Sequence, residues 1–170
     1  MGKLRFLVIF LLIFGLIAFG IALRNSSEAG DDNPVEFFAG YYYESDTYHT
    51  EILVTNNHLK VVHVDEQKLD KHWDENPHWT EDDLVTREKD IADDEIEELK
   101  NTIRNSDFFE LKDVVGVAEE GFEYEASTLT VTFEGKTKTV EYRYREGGPD
   151  MPEAFDKISG ILYNWAELGQ

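Results

Sequence analysis

From Phe6 to Leu23 the chain runs for 18 residues without a charge or a polar side chain, with Lys3 and Arg5 before the run and Arg24 directly after it. As a helix rising ~1.5 Å per residue it reaches ~27 Å, close to the ~30 Å hydrocarbon core of a bilayer. Phe6, Leu11, Phe14, Leu16, Phe19 and Leu23 supply the bulk of a lipid-facing surface, and residues 1–24 are expected to act as a signal anchor. A secretory signal has a shorter apolar region, roughly 7–15 residues, ending at a small-x-small site. Ala18-Phe19-Gly20 and Gly20-Ile21-Ala22 both fit that pattern, so the alternative is a signal peptide that is removed, leaving a secreted domain. The chain has no Cys, which excludes lipid attachment through an N-terminal cysteine and excludes disulfides.

The flanking charges orient the insertion. After Arg24 no Lys or Arg follows until Lys60, so the positive-inside bias holds the N-terminus in the cytoplasm and sends the rest out. The expected location is the cell membrane, single-pass, with residues 35–170 extracytoplasmic. Residues 25–34 are polar, with Gly and Asp and no apolar periodicity, and read as a linker.

Beyond the anchor, 13 basic residues stand against 36 acidic ones, a net charge of −23. Such a field disfavours nucleic acid and anionic lipid surfaces, which recruit clustered Lys and Arg. It leaves basic proteins, cations and neutral ligands as partners. Without disulfides, stability must come from one buried core, for which 136 residues suffice.

The pattern of the domain is α+β. Val35 to Glu44 is aromatic-rich and reads as a strand, with Tyr42 facing away from Tyr41 and Tyr43. Thr47 to Asp65 reads as a hairpin turning at Asn56-Asn57, which pairs Val54 with Leu59, Ile52 with Val61 and Thr50 with His63. Glu51, His58 and Lys60 then share the opposite face, and His49 and His63 point to opposite sides. Residues 66–90 form an excursion ending in a short strand near Leu84 to Lys89. A helix follows from Asp93, with Ile96, Leu99 and Ile103 inward and Asp94 and Glu95 in the first turn. Phe108, Phe109 and Leu111 plug the core.

A second hairpin turning at Gly135-Lys136 pairs Val131 with Val140, Leu129 with Tyr142 and Thr130 with Glu141. A last helix starts near Pro152 with Asp150 as its N-cap and Phe155, Ile158, Leu162 and Trp165 inward. The expected architecture is an antiparallel sheet of about five strands with two helices on one face.

No catalytic motif, phosphate loop, dinucleotide fingerprint or nucleophilic Cys occurs, so neither catalytic residues nor a cofactor are assigned. The excursion holds the candidate binding residues His72, Trp73, Asp74, His78 and Trp79. Two Trp within seven residues stack on sugars, anchor a protein partner or fold back as a lid. His72 and His78 are six apart, outside the usual zinc spacings, and no metal ligand set is assigned. From Asp65 to Glu98 there are 15 acids and 4 bases, without the Asp/Asn alternation, central Gly and final Glu of a calcium loop.

The helix from Asp93, the Asp107-Phe108-Phe109-Glu110-Leu111 plug, Tyr124, the TLTVTFEGKTKTV hairpin and Pro152 before the last helix together resemble a group of small bacterial and archaeal domains. That group includes the emfourin-type protease inhibitors and uncharacterised lipoprotein-type domains. Over residues 93–165 the resemblance implies an α+β fold and, by analogy with emfourins, inhibition of thermolysin-type metalloproteases. It carries over no inhibitory residue. Three functional expectations result: a tethered protein-interaction module meeting a basic or envelope partner, a cation- or carbohydrate-binding module using residues 70–83, and a protease inhibitor.

Overall fold

The computed structural model describes residues 35–45, 47–65, 68, 78–117 and 124–168. The span Phe6–Leu23, the linker 25–34 and the loop residues His72, Trp73 and Asp74 lie outside them. Among the described residues no helix is long and apolar enough to cross a membrane.

The domain begins with β1 (Phe38–Glu44), β2 (His49–Thr55), β3 (His58–Val64) and β4 (Leu84–Asp90), each pairing antiparallel with the next. After α1 (Asp93–Arg104) come β5 (Val114–Gly116), β6 (Glu125–Phe133), β7 (Lys136–Tyr144) and α2 (Glu153–Ala166). The sheet order is β4-β3-β2-β1-β6-β7-β5. Among the described residues seven strands therefore replace the expected five or so. β5 runs parallel to β7, which makes the sheet mixed rather than antiparallel. The missed strand has three residues, too few to display a period of two. It can reach β7 because Gly116 has φ 87° and no Cβ; a methyl there would stand 2.2 Å from the Arg143 carbonyl oxygen.

The first hairpin has the expected register: Val54 opposite Leu59, Ile52 opposite Val61, Thr50 opposite His63. Asn56 takes φ 54°, the left-handed backbone that Asn tolerates. Its Oδ1 also accepts from the Glu36 and Phe37 N–H groups at 3.1 and 3.2 Å, fastening the start of the domain to this turn.

The second hairpin departs from expectation by two residues. Val131 pairs with Lys138, Leu129 with Val140 and Thr130 with Thr139. Glu134 and Gly135, at φ 50° and 73°, form the turn, leaving Lys136 as the first residue of β7. A two-residue hairpin turn with both φ values positive matches the twist of its strands better than one centred on Gly135-Lys136. A shift of two keeps each residue on its expected face.

Both helices close over one face of the sheet. Ala39 and Tyr41 from β1, Ile52 and Val54 from β2, Leu59 and Val61 from β3, Leu129 and Val131 from β6 and Val140 from β7 form one core with Ile96, Leu99 and Ile103 of α1. From α2 come Phe155, Ile158 and Leu162, all fully buried, with Trp165 packed at the margin. Phe108 is fully buried, and Phe109 and Leu111 pack beside it. Pro152, not Asp150, is the N-cap of α2: its carbonyl accepts from the Asp156 N–H at 3.0 Å. Proline's fixed φ suits an extended entry at this point, and Asp150 lies two residues before it.

Candidate functional site

The apolar stripe of α1 leaves the rest of the helix to water, and that remainder is acidic and amidic. Asp94, Glu97, Glu98, Asn101, Thr102 and Asn105 recur at intervals of three or four, the spacing that stacks side chains along one side of a helix. Opposite them the chain enters α2 through Pro152, Glu153, Ala154 and Lys157. Ser106, Asp107 and Leu111 complete the wall of a groove of about 900 Å³.

Five carboxylates and one ammonium line this groove, and the ammonium is already matched: Lys157 Nζ lies 2.5 Å from Glu153 Oε1. Lys100, beside the groove, pairs with Glu97 at 2.7 Å while lying over the Phe37 ring. These bonds hold the Glu97 and Glu153 carboxyls below their ordinary value, the hydrogen bond to the lysine being the main cause in each case. Asp94, Glu98 and Asp107 contribute further negative charge. The arrangement attracts Lys and Arg side chains; beside the acids, the Thr102 and Ser106 hydroxyls already donate to the Glu98 and Ile103 carbonyls and keep acceptor lone pairs.

The residues singled out in the excursion fall elsewhere. His78 is exposed. Trp79 is half-buried against the face of the sheet that the helices leave uncovered. Its Nε1–H donates to the Ser45 carbonyl at 2.9 Å, and its ring lies 4.6 Å from that of His49. In the adjoining turn Asp83 Oδ2 accepts from both the backbone and the hydroxyl of Thr80 at 2.8 Å, and Lys68 Nζ donates to the Asp82 carbonyl at 3.0 Å. The neck of the excursion closes through a backbone bond from Asp65 N–H to the Asp83 carbonyl.

His49 and His63 do point to opposite sides: His63 lies opposite Thr50, the immediate neighbour of His49. Among the described residues no group of three His, Asp or Glu side chains is placed to hold a metal ion. Reading the sequence for active-site motifs passes over the α1–α2 groove. Its one advance signal is the run of acids and amides opposite the Ile96, Leu99 and Ile103 stripe.

No protein-family model matches this chain, and no characterised protein is significantly similar to it.

Proposed function

We propose that this protein is a membrane-tethered extracytoplasmic module that binds a basic protein partner through the α1–α2 groove. In this reading Phe6–Leu23 is the anchor, residues 25–34 are the tether, and the acidic domain is displayed outside the cell membrane. The observation that carries it is the groove itself, a concave surface lined by five carboxylates whose one ammonium is already paired.

The physical reasons are cumulative. A field of this sign speeds the encounter with cationic partners and repels anionic ones. A partner confined to the same membrane meets the groove at a raised effective concentration, so modest affinity is enough. Trp79 commits its N–H and one ring face to the fold, which favours the groove over residues 70–83 as the binding surface. The resemblance of residues 93–165 to emfourin-type inhibitors is compatible with a protein partner, and an envelope protease is one candidate.

Site-specific photo-crosslinking in native membranes tests the proposal. A crosslinker at Asn101 or Asn105 is expected to give a discrete adduct with a basic protein that a crosslinker at Thr86, on the far face of the edge strand, does not give. Equal labelling from both faces refutes the assignment of the groove.

A further inference from the structure

On the sheet face away from the helices, His49 is nearly enclosed although no helix among the described residues covers it. It is the first residue of β2, yet it is only 6% exposed. Its ring lies between two carboxylates, with Nε2 3.4 Å from Glu51 Oε1 and Nδ1 3.9 Å from Glu44 Oε2. Nδ1 is buried and has no hydrogen-bond partner among the described residues. Trp79 covers the ring at 4.6 Å and Tyr42 meets it edge-on at 5.5 Å.

We propose that His49 is a proton-operated clasp: proton uptake by its ring tightens the attachment of the Trp79 segment to the sheet. Neutral imidazole carries one N–H and can serve only one of its two flanking acids as a donor. Imidazolium carries two and a positive charge, within 3.4 Å of Glu51 Oε1 and 3.9 Å of Glu44 Oε2. The added proton also places a cation against the indole of Trp79, the strongest of the aromatic partners for a cation.

The second link runs through the backbone. Glu44 immediately precedes Ser45, whose carbonyl holds the Trp79 indole N–H. Drawing the Glu44 carboxylate toward the ring steadies that carbonyl. Among the described residues, the groups that face the ring are Tyr42 and Glu44 from β1, Glu51 from β2 and the Trp79 indole from the covering segment. The Tyr42 hydroxyl donates to Glu44 Oε2, fixing that carboxylate on the same side. Burial raises the Glu44 carboxyl above its ordinary value, with His49 opposing the shift and Glu51 adding to it. The pocket therefore gains from a positive charge between its two acids.

The inference is independent of the groove. It predicts that the hold on Trp79 changes with the charge of one ring. The experiment is NMR on the full-length chain in detergent micelles. The charge state of the His49 ring nitrogens and the exchange protection of the Trp79 indole N–H are followed together across pH, with exchange corrected for its intrinsic pH dependence. Protection is expected to rise by about tenfold as the ring takes up its proton, the scale of one added cation–π or charge-assisted contact. H49Q should show a flat profile. E51Q keeps the ring but removes one acid, and should move the ring titration and the protection curve together. Constant protection while the ring titrates, a ring that stays neutral until acid unfolding, or curves that separate in E51Q would each overturn the proposal.

Discussion

Replacing Asn56 separates two contributions that one side chain makes at the start of the domain. Its Oδ1 accepts from the Glu36 and Phe37 N–H groups, and its backbone holds φ 54° at the first hairpin turn. One of the two hydrogen bonds is exposed and the other half-buried, so together they contribute about 1–2 kcal/mol. Alanine loses both and adds roughly 1 kcal/mol or more for a left-handed backbone that Asn and Gly tolerate better. Asn56→Ala should therefore cost about 2–4 kcal/mol and Asn56→Gly about 1–2 kcal/mol. Asn56→Asp keeps an acceptor in place and should stay within about 1 kcal/mol of the parent. Urea unfolding followed by circular dichroism gives the ranking from midpoint shifts at constant slope. If Gly costs as much as Ala, backbone strain has no part in this turn. If all three variants are neutral, the fastening of residues 36 and 37 to the turn has no energetic weight.

The remaining expectations use the same assay. Trp79→Ala removes a half-buried ring and its N–H bond to Ser45 and should cost about 2 kcal/mol; a change below about 0.5 kcal/mol would return Trp79 to the role of a binding residue. Gly116→Ala would drive a methyl into the Arg143 carbonyl, whereas a methyl at Gly135 enters open space at φ 73°. The first should cost about 3 kcal/mol or more and the second about 1 kcal/mol, and equal costs would remove the argument for β5. Glu44 has a raised carboxyl, with burial the main cause, His49 opposing it and Glu51 adding to it. Once ionised it opposes folding, so its adverse contribution is full above the folded-state value and vanishes below the unfolded value near 4. Glu44→Gln should therefore stabilise the domain at pH 7, with the gain fading as pH falls through that range; a gain independent of pH would contradict this sign.

How much of this was legible in the sequence depended on whether one segment or several decide the outcome. The first hairpin was readable because Asn56-Asn57 carries its turn chemistry in the residues themselves and the flanking pattern alternates cleanly. The second was misplaced by two because Glu134 occupies a left-handed position for which nothing in its chemistry calls. The inward stripe of α1 and the Phe108 plug follow from local periodicity. β5 does not, since three residues become a strand only by meeting β7. The groove joins the flank of α1 to the start of α2, and no local pattern reports a surface shared by two distant helices. The enclosure of His49 involves the Trp79 ring folding back over it, a contact between distant segments that the strand's own alternation does not report.

The central claim is that the acidic groove recognises a basic partner at the membrane. The direct measurement is the yield of the Asn101 photo-crosslink in native membranes for the parent chain and for Glu97→Gln/Glu98→Gln/Asp107→Asn. Those three changes remove charge from the groove and leave the buried stripe of α1 intact. The account predicts a discrete adduct that falls at least tenfold in the triple variant and weakens in the parent as salt is raised. An adduct of undiminished yield after neutralisation, or one insensitive to salt, would contradict it.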